Sequence, residues 1–227
     1  FTCLAVFINL IPAILNGQNI YIWSIVTCVY ITVMTLVLIE GLNVKCFAAG
    51  VGCVGGVLVA GALELLLRDQ IKMSGVLDSE WLYLYNLRKD NPIDLKAIIF
   101  AMIIVGAVGA VMDVAMSIAS SLCEINEKSP DLPARELLKS GLTIGRDIMG
   151  TMANTLVLAY IGSALCCMLL MVTYSSNVSQ ILNREQIAVE ILQALAGSIG
   201  ILAALPLTAI TSVLCLKPLN RIKRSVH

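Results

Sequence analysis

Asp113, Arg146 and Asp147 are ionisable side chains set inside long apolar runs. If those runs cross a bilayer, each charge costs on the order of 2.5–3.5 kcal/mol near the centre, so each needs a partner or a task. The chemistry open to them is proton exchange, because burial and a neighbouring guanidinium pull a carboxylate's proton affinity in opposite senses. At helical steps of three and four, Asp113 shares a face with Gly106, Gly109 or Ala110, Ser117, Ser120 and Glu124. Asp147, Thr151 and Asn154 fall on another face at i, i+4 and i+7. Small residues let helices approach closely, so the Asp113 face is expected to look inward, away from lipid. Two readings stay open. One is a packed seam holding a single hydrogen-bonded carboxylate. The other is an ion-relay or substrate path made of Asp113, Arg146, Asp147, Ser117, Thr151 and Asn154.

The elements that must position these groups follow from composition. Of 227 residues, 59% are apolar and 13% charged, with a mean hydropathy of +0.91. A soluble domain is about a quarter charged, so these values point to an all-α, polytopic transmembrane bundle of about six spans forming one domain over the whole chain. The run from Phe1 to Leu15 falls short of the roughly 20 residues a bilayer demands and reads as a truncated first span. Further spans are expected at Ile20 to Ile39, Cys46 to Leu67, Leu95 to Leu122, Leu142 to Val172 and Ile187 to Leu216. The third repeats small residues at Gly52, Gly56 and Ala60, a close-packing seam. The sixth carries Glu190, Gln193, Gly197, Gly200, Ala204, Thr208 and Thr211, with Pro206 able to kink it.

Between these spans lie two polar stretches. Arg68 to Asp94 holds five acids and four bases around an amphipathic piece, Trp81 to Tyr85. Cys123 to Gly141 is a charged connector. There Ser129-Pro130-Asp131 signals a helix start with Pro133 tolerated in its first turn, Leu137 and Leu138 give an apolar face, and Gly141 can end the helix. A short amphipathic helix on the cytoplasmic surface is therefore expected between spans four and five. The short connector makes those spans antiparallel neighbours, which would let Asp113 and Arg146 pair.

Several functions are set aside by residue type. Lys and Arg total 15, as do Asp and Glu, so no basic surface addresses nucleic acid. The eight cysteines form no CxxC pair, and the single histidine, His227, ends the chain. No metal site, cofactor or Cys/His nucleophile is expected. An intramembrane aspartyl protease built on Asp113 and Asp147 lacks the usual Tyr-Asp and Gly-Leu-Gly-Asp motifs, so the chain is read as a non-enzyme. Asn177-Val178-Ser179 forms a glycosylation sequon, read as coincidence.

The segment Gly106-Ala-Val-Gly-Ala-Val-Met-Asp113-Val-Ala-Met-Ser117-Ile-Ala-Ser resembles the YibE/F family of bacterial membrane proteins. So do Glu136-Leu-Leu-Lys-Ser-Gly141, Ile144-Gly-Arg146-Asp147-Ile-Met-Gly-Thr151-Met-Ala-Asn154-Thr155-Leu, and Gly197-Ser-Ile-Gly200. The resemblance spans essentially the whole chain. It implies a multi-pass protein of the bacterial inner membrane, whose partners are the lipid bilayer and a related YibE/F-type subunit or further copies of itself. A fainter resemblance, to the fourth-to-fifth span unit of SecD/SecF and other RND transporters, implies proton conduction, although the large extracytoplasmic domains of that group are missing from this sequence. The functional expectation is a secondary transporter or proton-coupled export component, with a non-transporting scaffold or assembly subunit as the alternative.

Orientation follows the basic residues. Lys217, Arg221, Lys223 and Arg224 in the tail, with Lys45, Lys128, Arg135 and Lys139, place the connector and the C-terminus together in the cytoplasm. Reporter fusions or cysteine labelling that put the two on opposite faces would refute this topology.

Overall fold

Helix starts in this chain are written locally. Asn19 Oδ1 accepts from the amides of Tyr21 at 3.1 Å and Ile22 at 3.4 Å. Asp94 Oδ1 accepts from those of Lys96 at 3.0 Å and Ala97 at 3.3 Å. Each cap satisfies donors that have no intrahelical acceptor. Pro133, which has no N–H to leave unpaired, precedes the helix that begins at Ala134, and its carbonyl accepts from Glu136 and Leu137.

The computed structural model describes residues 2–41, 43–71, 81, 93–174 and 184–226. Among them there is no strand, and six helical segments follow in order. These are α1 (Thr2–Leu15, with a π-helical stretch at Val6–Leu10), α2 (Ile20–Glu40) and α3 (Val44–Ile71), then α4 (Leu95–Lys128), α5 (Ala134–Tyr174) and α6 (Glu185–Val226). Each of α2 to α6 holds a stretch long and apolar enough to cross a membrane, while α1 is a shorter apolar helix. Large apolar side chains such as Leu38, Phe47, Leu66, Leu158, Leu169 and Leu214 stand exposed on the outside. A membrane protein needs that surface against lipid, whereas a soluble monomer rarely carries so much of it. The fold is an all-α transmembrane bundle. The amphipathic residues from Leu82 to Tyr85 and the sequon at Asn177 lie outside the described residues.

The centre of the bundle is a contact between α3, α4 and α6. A methyl on Gly56 would stand 2.6 Å from the Gly200 carbonyl oxygen, 2.8 Å from the Ala204 Cβ and 2.9 Å from Val111 Cγ1. One turn away the Thr208 side chain occupies the space that a Cβ on Gly52 would need, and Thr211 Oγ1 donates across to the Ala48 carbonyl at 3.2 Å. The expected seam at Gly52, Gly56 and Ala60 is therefore real, and its partner is the Gly200–Ala204–Thr208 face of α6. Backbones this close gain dispersion contacts that larger side chains would prevent. Helix α6 runs unbroken through Pro206.

The connector differs from expectation. Its helix starts after Pro133, but Gly141 does not end it, and one helix continues into span five. Gly141 and Gly145 serve helix crossing instead. A Cβ on Gly141 would meet Leu122 at 2.8 Å, and one on Gly145 would meet Leu205 at 2.7 Å and Ile118 at 2.9 Å. The amphipathic helix is thus the first turns of α5, with Leu137 fully buried. The Lys217 ammonium donates to the Leu132 carbonyl, tying α6 to the turn before α5.

Gly56→Ala is expected to cost about 1–3 kcal/mol as an overpacked contact, because the obstructing atom is backbone. Gly109→Ala, with nothing within 4 Å of the added methyl, is expected to leave stability unchanged. Thermal unfolding of both variants in detergent or nanodiscs checks this, and equal losses would refute it.

Candidate functional site

Helix α4 turns its apolar side to the core. Ile104, Val111, Ala115, Ile118 and Leu122 are all essentially inaccessible. The opposite side of the same helix carries Gly109, Asp113 and Glu124, which are exposed, with Ser117 half-buried between them. The expectation that the Asp113 face looks inward is corrected for most of its length. The reason is that branched apolar side chains fill the contact with α3 and α6 better than the small polar stripe does. Only the Gly106 end of the stripe packs. A Cβ there would stand 2.8 Å from Tyr160 Oη and 2.9 Å from Gln193 Nε2. Glu124 pairs with Lys128 at 2.9 Å on the exposed surface.

Helix α5 behaves in the same way. The tight crossing at Gly141 and Gly145 fixes its rotation, and at 100° per residue the next two positions, Arg146 and Asp147, turn away from the core. Both are exposed, as are Gly150, Thr151 and Asn154. Among the described residues no ion pair joins Asp113 to Arg146, so the expected direct pairing does not form. Glycine at the crossing, rather than arginine, is what lets the two helices meet. The hydroxyls nearby are satisfied within their own helices, Ser117 Oγ donating to the Asp113 carbonyl at 2.8 Å and Thr151 Oγ1 to that of Ile148 at 2.8 Å. The site residues therefore lie on two outward polar faces, one on α4 and one on α5.

Two polar features come from the packing rather than from the sequence pattern. Glu64 lies within span three yet is 0% exposed. One turn further along, Arg68 Nη1 donates to the Tyr21 hydroxyl at 2.6 Å, with the guanidinium carbon 5.6 Å from the ring centroid. The Tyr21 hydroxyl in turn donates to Asp94 Oδ2 at 3.4 Å. An open pocket of about 360 Å³ lies beside this network, lined in part by Gln18, Asn19, Tyr21 and Asp94. Arg68 and Asp94 read in sequence as the edges of a loop. The signal that marks Glu64 is an acid within an otherwise apolar span. The second feature is the Tyr160–Gln193 contact beside Gly106, where α4, α5 and α6 converge. Between α2 and α3 an apolar groove of about 740 Å³, lined by residues such as Leu36, Phe47, Val51 and Leu58, offers shape for an acyl chain but no chemistry. Among the described residues no three His, Cys, Asp or Glu side chains gather to hold a metal.

A bundle of apolar helices whose outward faces carry charge at membrane depth defines a polytopic integral membrane protein. The YibE/F-like protein profile matches residues 1–218, and the chain belongs to that family. No curated protein and no solved structure matches it.

Tyr21→Phe removes the acceptor of Arg68 and the donor to Asp94 together. Hydrogen bonds to charged groups contribute about 1.5–3 kcal/mol, so this variant is expected to melt well below the parent in nanodiscs. Asp94→Asn keeps the helix cap and is expected to lose less. Equal stability of Tyr21→Phe and the parent would show that the network contributes nothing.

Proposed function

We infer that the chain is a secondary transporter or proton-coupled export component of the bacterial inner membrane, with Asp113 taking up and releasing the proton. The observation that carries this reading is a carboxylate inside an apolar span, exposed, and without an ion pair among the described residues. Ionised against acyl chains it would cost several kcal/mol, whereas protonated it is neutral. Such a group stays compatible with the membrane by exchanging a proton with water that reaches it from one side or the other. Gly109, one turn away, leaves open space beside it, and Ser117 follows one turn on. Arg146, Asp147, Thr151 and Asn154 extend the polar surface along α5. No covalent chemistry is assigned to any of these residues.

A second reading, a non-transporting scaffold or assembly subunit, draws on the same outward orientation, since polar faces turned away from their own bundle are suited to binding neighbours. Asp113→Asn separates the two, because it keeps the side chain's shape and removes its titratable charge. The transporter reading expects proton movement in proteoliposomes under an imposed pH gradient, followed with an internal pH dye. Asp113→Asn should slow it at least tenfold while the protein stays folded and inserted. Proton movement that survives the substitution, or that the parent never shows, would leave the scaffold.

A further inference from the structure

Helix α5 hangs on the outside of the bundle. Only 11% of its apolar window is buried, against 56% for α4. Its outward side carries Arg146, Asp147, Gly150, Thr151 and Asn154, every one exposed. Neither charge makes an ion pair among the described residues. Gly145 packs beside Ile118, which places the two charges about 15 Å along α4 from Lys128 at 1.5 Å per residue. Counted from Leu122, where span four is expected to end, the depth is about 6 Å, inside the cytoplasmic edge of a hydrocarbon core roughly 30 Å thick. An arginine can snorkel along its aliphatic stem, but Asp147 has no stem to do so. A face like this is stable only when something polar covers it.

The arrangement of the charges says what covers it. Arg146 and Asp147 are consecutive, so they lie at nearly the same depth. Two copies inserted in the same direction are related by a two-fold axis along the membrane normal, which brings each depth against itself. We propose that a second copy of this chain docks on the outward face of α5, with Arg146 of each copy meeting Asp147 of the other. Opposite charges at one depth make this face complementary to itself, which a face of a single sign is not. Gly150, with nothing within 4 Å of a built Cβ, lets the two helices approach closely one turn further on. Asn154, one turn beyond, carries an amide that can donate and accept across the axis. The proposal does not depend on proton coupling and holds equally for a scaffold.

The test co-expresses two differently tagged copies, captures one tag from native membranes solubilised in mild detergent, and measures the other. The parent should co-purify. Arg146→Asp in both copies makes the face doubly acidic, and Asp147→Arg in both makes it doubly basic. Each should lower recovery at least tenfold. The double variant Arg146→Asp/Asp147→Arg should restore it. So should a mixture of one Arg146→Asp copy with one Asp147→Arg copy, because each residue again meets an opposite charge. That mixed rescue separates direct pairing from misfolding, since each component fails with itself. A parent that does not co-purify, single reversals that leave recovery unchanged, or losses that neither combination rescues would each overturn the proposal.

Discussion

The backbones of α3 and α6 meet at glycine. With glycine at 56 and 200, the carbonyl oxygen of Gly200 lies where a side chain on Gly56 would begin. Everything around it inherits this geometry. The contact sets the distance between two spans and lets Val111 of α4 close over the crossing. It also leaves Thr208 to key into the space over Gly52. Gly141 and Gly145 repeat the device between α5 and its neighbours Leu122, Ile118 and Leu205. Glycine rather than leucine decides the architecture because lipid supplies no hydrophobic drive for helices to associate, and close packing must do the work.

The same rule explains where the polar residues go. A helix that commits its glycine face to a neighbour has no freedom left in its rotation, so the residues beside that face point where the periodicity sends them. For α5 this turns Arg146 and Asp147 outward, and for α4 the apolar face through Val111 and Ile118 turns Asp113 outward. The polar groups follow from packing they do not take part in. A transport path and a subunit contact both call for polar surface at membrane depth, and the outward faces supply that surface.

Much of the fold was legible in the sequence because hydrophobic length and glycine spacing are local signals. The spans and the Gly52–Gly56–Ala60 seam follow from runs of a few residues. The rotation of each helix is not local, and this is why the Asp113 stripe was read as inward and Arg146 as its partner. Sequence spacing says which residues share a face but not which way that face turns, and Gly141, a stop signal in soluble helices, here marks a crossing. Glu64 escaped notice for a related reason. It sits inside the Cys46–Leu67 run, one turn from Arg68, and the sequence does not say that its face of the span turns into the core, where it is fully buried.

The Tyr21 hydroxyl joins three helix ends that are far apart in sequence, and its two bonds are unequal. The one from Arg68 is 2.6 Å long and charge-assisted, while the one to Asp94 is 3.4 Å. In mechanical terms this is a latch with a strong side and a weak side. Strain that parts α2 from α4 would load the Asp94 bond before the Arg68 bond, but it must also draw the Tyr21 ring off Phe100 of α4, whose centroid lies 5.0 Å away. At this end α2 and α4 are also joined by Ile20, Ala97 and Ala101, which share one buried cluster, so the latch backs an apolar contact, and the pocket beside Asn19 and Asp94 lies at its rim.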